Sequence, residues 1–255
     1  MSPSIWTRCA ATFKARKIEL LAHRVVESQH VLSTRKLVDS NEEQALLEEL
    51  IDRTKPEVPA GPEFRGLDYL LFTPFRHPPL RYGSRFGARR ERGLWYGSKE
   101  LRTSLAEVSY YRLLFLEGTT APLGTLTVEL TAFVAAVRLR AGADLKSPPF
   151  RRYEARISSP TSYEDSQRLG ADLRAARVDG FLYASARAPG GVNVGLLEPA
   201  FAARRPRRFE TWICSADRSK VELARRSISR VHPGERLAFA REEFLVAGRL
   251  PSPAT

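Results

Sequence analysis

Residues 81–112 read RYGSRFGARRERGLWYGSKELRTSLAEVSYYR. A glycine-punctuated, arginine-rich loop, a short aromatic strand and a helix follow one another within that stretch. In the loop, Gly83 and Gly87 enclose Ser84, Arg85 and Phe86. Glycines let a ligand approach the backbone, and a guanidinium binds oxyanions through two parallel hydrogen bonds. The pattern fits a phosphate-holding loop. It is not a P-loop, which needs Lys followed by Ser or Thr, nor a GxGxxG dinucleotide fingerprint. Residues 94–98, LWYGS, read as a strand. Beyond them Leu101, Leu105 and Val108 recur at helical spacing and define a core-facing stripe. Glu107 stands at the shoulder of that stripe, with Ser104 and Tyr111 one turn away on its side. A partly buried carboxylate needs partners, because an unpaired one is costly to desolvate.

Outward from this stretch, residues 125–138 alternate Val128, Leu130, Ala132 and Val134 on one parity, as a strand does. Ser162 and Asp165 mark a capped helix through about residue 176. Residues 181–185 and 192–197, joined across Pro189-Gly190-Gly191, read as a hairpin, and residues 209–214 as a further strand. On the N-terminal side, Ser40 and Glu43 form a capping-box signature ahead of Leu46, Leu47, Leu50 and Ile51, an amphipathic helix. Pro56, Pro59 and Pro62 end it. Residues 69–72 read as a strand, residues 1–22 as weakly helical, and residues 24–26 as a short strand. The interspersed strands and helices, without βαβ alternation, predict a single α+β domain with a mixed or largely antiparallel sheet and flanking helices. The division expected is a helical appendage over 1–60, with the strand at 22–26 packing on the main body, a catalytic domain over 61–245 and a disordered tail over 246–255.

Composition bounds the classes. Forty-one Lys and Arg against 29 Asp and Glu give +12, and only seven of the bases are lysine. Arginine excess reflects either the base composition of a genome or an anionic partner. Cys9 and Cys214 are far apart, and His23, His30, His77 and His232 make no ligand pair with them, so neither a disulfide framework nor a metal site is expected. The first thirty residues hold no apolar signal region, and no run reaches the ~20 apolar residues of a membrane span. A cytoplasmic protein with no membrane partner is expected.

Taken in order, GSRFG, the Trp95-Tyr96 strand, the SLAE helix ending on Glu107, and YASAR ending a later strand on Ser185 resemble the RES domain family, named for its Arg, Glu and Ser. The resemblance extends over about residues 22–200 and includes an early strand bearing Arg24. It implies an ADP-ribosyltransferase-like fold that consumes NAD as a substrate, with no bound cofactor. It implies cleavage at the nicotinamide–ribose bond, with water or phosphate as acceptor, in the toxin of a two-gene toxin–antitoxin system. A helix-turn-helix antitoxin and a homodimer within such an assembly are the partners it implies. By the resemblance Glu107 stabilises charge at the ribose, Arg85 holds phosphate, Tyr96 lies beside the nicotinamide ribose, and Ser185 binds substrate or orients Glu107. Arg24 or Arg76 would be a second phosphate contact, and Gly83, Gly87 and Ser104 would complete the substrate site. A protein ADP-ribosyltransferase is the alternative. A basic nucleic-acid-binding module, resting on the runs 81–92 and 204–208, ranks behind both, and direct nucleic-acid binding is not expected.

Overall fold

The computed structural model describes residues 4–28, 37–77, 82–227 and 234–252. His30, Pro78, Pro79, Arg81 and His232 lie outside them. Among the described residues eight strands form one mixed sheet in the order β1-β2-β5-β4-β3-β6-β7-β8. They are β1 (Arg16–Glu27), β2 (Trp95–Ser98), β3 (Leu126–Asp144), β4 (Gly180–Ala184), β5 (Val192–Leu196), β6 (Arg207–Ala216), β7 (Lys220–Arg225) and β8 (Arg236–Ala240). Among the described residues six helices flank them: α1 (Ile5–Cys9), α2 (Asn41–Thr54), α3 (Tyr69–Arg76), α4 (Leu101–Gly118), α5 (Glu154–Ile157) and α6 (Glu164–Ala175). Every strand pair is antiparallel except β3–β4. The α+β reading with a mixed sheet therefore holds.

The long strand β3 organises the sheet. Its middle and C-terminal part pairs with β1, its N-terminal half with β6, and its last residues with β4. Because β1 also reaches β2 at His23 opposite Ser98, β3, β1, β2, β5 and β4 close on one another, and β6 to β8 extend from β3. The β4–β5 hairpin forms as its turn residues direct, with Tyr183 opposite Asn193.

Three apolar clusters hold these layers. Leu105, Tyr110 and Leu113 of α4 pack on Leu130, Trp212 and Leu223. Phe86, Phe181 and Tyr183 meet Leu169 and Leu173 of α6. Trp95 packs with Leu71, Phe75, Phe133 and Val194. Each large side chain removed from water contributes about 1.5–3 kcal/mol.

Several expectations are corrected. Of residues 1–22, expected to be weakly helical, Ile5–Cys9 is helix, but β1 begins at Arg16 and runs beside β3 from Arg16 opposite Gly142 to Glu27 opposite Leu130. Pairing with β3 overrides the helix preference of Lys, Glu and Leu there. Residues 1–60 are thus not a wholly helical appendage. Residues 69–72 are helix, not strand. Asp68 caps α3 through a 3.0 Å bond from Leu70 N–H, and Leu71 and Phe75 bury one face at i, i+4. The Ser162–Asp165 cap is not made: Asp165 pairs with Arg156, and Tyr163 occupies the N-cap position of α6. Residues 246–252 of the expected tail fold back onto the body. Leu250 is buried in the α4 cluster and Pro251 O accepts from the Tyr110 hydroxyl. The Ser40–Glu43 capping box forms as read, with bonds of 3.1 and 3.2 Å.

Candidate active site

Glu107 sits in the middle of α4, which packs across β1, β2 and β5. Its Oε1 accepts from Ser185 Oγ at 2.7 Å and from Asn193 Nδ2 at 2.6 Å. Ser185 follows the last residue of β4 and turns its hydroxyl back under the chain. There Oγ accepts from the Arg187 and Ala188 N–H groups at 3.1 and 3.0 Å. With two donors aimed at its lone pairs, the Ser185 proton has one direction left, toward Glu107. Asn193 is 3% exposed. Its Oδ1 accepts from Ser98 Oγ at 2.7 Å, which leaves Nδ2 for the carboxylate. Oε2 of Glu107 carries neither bond.

A cleft of about 310 Å³ opens over this carboxylate, lined by Arg24, Arg85, Tyr96, Ser104 and Asn193 together with Glu107. Arg85 is 8% exposed, stacks 4.7 Å from the centre of the Tyr163 ring and donates to Ser159 O at 2.8 Å. Arg24 reaches in from β1, lies 5.4 Å from the Trp95 ring centre and donates to Tyr96 O at 2.8 Å. Its Nε is buried with no partner. Burial alone pulls its pKa down to about 10, so it remains a cation at neutral pH. A desolvated cation with an unpartnered donor beside a cleft calls for an anion.

The remaining expected residues divide. Ser104 lines the cleft, but its hydroxyl donates to His23 O at 2.9 Å and ties α4 to β1 instead of serving Glu107. Tyr111 lines the cleft as well, and its hydroxyl meets the Tyr163 hydroxyl at 3.1 Å. The Tyr96 ring lines the cleft, while its hydroxyl meets Ser84 Oγ at 2.9 Å and accepts from Phe86 N–H at 3.0 Å. Burial pushes that phenol up to about 12. Its hydroxyl braces the Arg85 loop and is not directed at a ligand.

Gly83 and Gly87 are outside the cleft lining. Gly83 holds φ at +81° where a Cβ would run into the Gly87 carbonyl. Ser84 and Gly87 close the turn on each other, N–H to O, at 2.8 and 3.3 Å. The Ser84, Phe86 and Gly87 N–H groups are thus spent within the protein, and the glycines shape a tight turn that carries Arg85. Arg76 ends α3, away from the cleft, with its Nε donating to Pro56 O. Asn193 and Ser98 went unassigned from sequence. The one signal for Asn193 was an amide among the apolar residues of Val192–Leu196.

The family model named RES domain matches residues 60–217, more than half of the chain. The chain belongs to the RES domain family. Arg24 and β1 lie ahead of the matched range, yet they complete the cleft built by the matched part. No curated protein sequence matches the chain. Among solved structures, a chain in the "Crystal structure of the M.tuberculosis MbcT-MbcA toxin-antitoxin complex" aligns over 82% of this chain and 91% of its own. The identity is 13% and the TM-score 0.48. Among the described residues, no helix is long and apolar enough to cross a membrane. The same residues hold no cluster of three or more His, Cys, Asp and Glu side chains suited to a metal.

Proposed function

We propose that this RES domain protein cleaves NAD at the nicotinamide–ribose bond and acts as the toxin of a toxin–antitoxin pair. The observation that carries the reading is one carboxylate, held by two committed donors, in the same cleft as two enclosed guanidiniums. NAD is the substrate, and the reaction needs no resident cofactor.

The residues fit the chemistry as follows. The bond from C1′ to the pyridinium nitrogen breaks with both electrons going to nitrogen, and neutral nicotinamide leaves. No general acid is required, because the leaving group starts as a cation. Positive charge develops on the ribose as in other glycosidic cleavages. A carboxylate fixed beside the ribose stabilises that charge and accepts from the 2′-hydroxyl. Glu107 takes this part, with Ser185 and Asn193 as its positioning residues. Arg85 and Arg24 receive the diphosphate. A phosphate oxygen then bonds to C1′, or water does and releases one proton to solvent. A volume of about 310 Å³ lies at the small end of ligand pockets. It suits the nicotinamide–ribose end, with the adenosine end lying outward.

Purified protein mixed with NAD should release free nicotinamide. Glu107→Gln should slow that release by about 10²-fold or more. Faster release with inorganic phosphate present would mark phosphate as the acceptor, and the same rate without it would mark water. Label passing from NAD to a protein band would favour the transferase alternative. Release by Glu107→Gln at the wild-type rate would end the assignment. In the cell, the proposed partner is the helix-turn-helix antitoxin encoded with it.

A further inference from the structure

Beside the carboxylate, α4 carries an aromatic step that the reaction described above leaves unused. Glu107, Tyr111 and Phe115 recur at i, i+4 and i+8. They share one side of the helix at successive turns, ~6 Å apart along its axis. Tyr111 lines the cleft and is 53% exposed. Phe115, one turn farther from the carboxylate, is 56% exposed. Large side chains of a packed helix ordinarily face the core, as Tyr110 and Leu113 of this helix do.

The Tyr111 ring is held in place although it is open to solvent. Its hydroxyl meets the Tyr163 hydroxyl at 3.1 Å, and the Tyr110 ring makes a T-shaped contact with it, centres 5.1 Å apart. Tyr163 is itself fixed: it is buried and carries the Arg85 guanidinium over its ring. A ring already pinned at its hydroxyl and its flank loses little freedom when a ligand covers its open face. The contacts also set an order in space, from Arg85 to Tyr163 to Tyr111. An anion held by Arg85 therefore has this open ring one side chain beyond.

The proposed substrate needs such a place. With the nicotinamide ribose at Glu107 and the diphosphate on Arg85 and Arg24, a cleft of about 310 Å³ leaves the adenosine outside. Adenine is a flat ring with two apolar faces, and any base stacks on an aromatic side chain through its π-face. A protein partner is the other occupant that exposed rings suggest. Two rings fall far short of the ~800 Å² that each partner buries in a stable complex.

We propose that the adenine of NAD stacks on the open face of Tyr111, with Phe115 bordering it. One helix then supplies both the carboxylate for the ribose and the platform for the base. The inference rests on NAD being the substrate. It names the residues that make the protein prefer the dinucleotide over its nicotinamide half.

Nicotinamide mononucleotide keeps the scissile bond and one phosphate but has no adenosine, so nicotinamide release from it and from NAD tests the platform. Tyr111→Ala should raise KM for NAD about ten- to a hundredfold more than KM for the mononucleotide. Tyr111→Phe keeps the ring and should restore most of the preference for NAD. Phe115→Ala should shift the same ratio in the same direction by a smaller factor. An unchanged thermal unfolding profile verifies that each variant is folded. A loss that falls equally on both substrates would make Tyr111 a brace for Tyr163 and Arg85 and would overturn the proposal. A wild-type protein with no preference for NAD would overturn it too. Calorimetry with ADP-ribose separates this failure from failure of the reaction. Binding that weakens about ten- to a hundredfold in Tyr111→Ala supports the platform even if no nicotinamide is released. Wild-type binding of ADP-ribose no tighter than that of ribose 5-phosphate overturns it.

Discussion

Asn193 and Ser185 reach Glu107 with the one polar atom that their other bonds leave over. Ser98 fills the Asn193 carbonyl, and two backbone N–H groups fill the Ser185 oxygen. Neither side chain can turn without abandoning a buried bond. A hydrogen bond to a charged group is worth about 1.5–3 kcal/mol. Ser185→Ala and Asn193→Ala should therefore each slow nicotinamide release by roughly ten- to a hundredfold. If they act by positioning Glu107, the loss falls on kcat and KM for NAD changes little. Asn193→Asp should be worse than Asn193→Ala, since it sets a second carboxylate against Glu107. Steady-state kinetics on the three variants separate these outcomes. The order Arg85, Glu107, Ser185 was legible in sequence because those residue types recur in a fixed succession of loop, helix and strand end. Asn193 was not legible, because its meaning depends on Ser98 and Glu107, 95 and 86 positions away.

Elements set how close these residues come. Gly170 lies inside α6, where glycine ordinarily weakens a helix. A Cβ there would run into the Phe86 carbonyl oxygen, so this glycine lets α6 press against the loop that carries Arg85. Gly170→Ala should lower stability by about 1–3 kcal/mol, as overpacking does, read as a lower urea midpoint. A second test concerns β1. Burial holds the His23 pKa below its ordinary 6.5, outweighing the attraction of Glu210 and Glu100. Between that lowered value and 6.5 the unfolded chain binds more protons than the folded one. Stability is therefore full above pH 6.5 and falls as pH drops below it. Urea midpoints from pH 7.5 to 5.5 should decline, and His23→Gln should flatten the decline. Element type was misread where local signals competed. The run Tyr69–Phe72 resembles a buried strand until Asp68 is seen to cap it as a helix. The segment from Arg16 resembles a helix until β3 lies alongside it.

On the scale of the molecule, the matched family range begins at residue 60, but the sheet does not. β1 covers an edge of β3 and supplies both Arg24 and a link to β2. A chain starting at residue 60 would expose that edge and the apolar face beneath it. Such a chain should fail to give a cooperative unfolding transition and should aggregate. A chain starting at residue 14 loses α1, whose Ile5 and Cys9 are buried in the cluster of Phe86, Phe181 and Leu173, and should still fold but with lower stability. Calorimetry and light scattering on the two would decide this.

By itself the amino-acid sequence determined the α+β class, the β4–β5 hairpin, the capped helix α2, and the succession of residues that marks the family. Each of these rests on signals a few positions apart, set by turn chemistry, capping and side-chain period. The tertiary structure alone decided that β1 closes the sheet, that Tyr96 braces a loop instead of facing the cleft with its hydroxyl, and that Glu107 is held from β4 and β5. Those outcomes depend on which distant groups compete for the same hydrogen bonds and the same apolar surface, and local spacing carries no record of that competition.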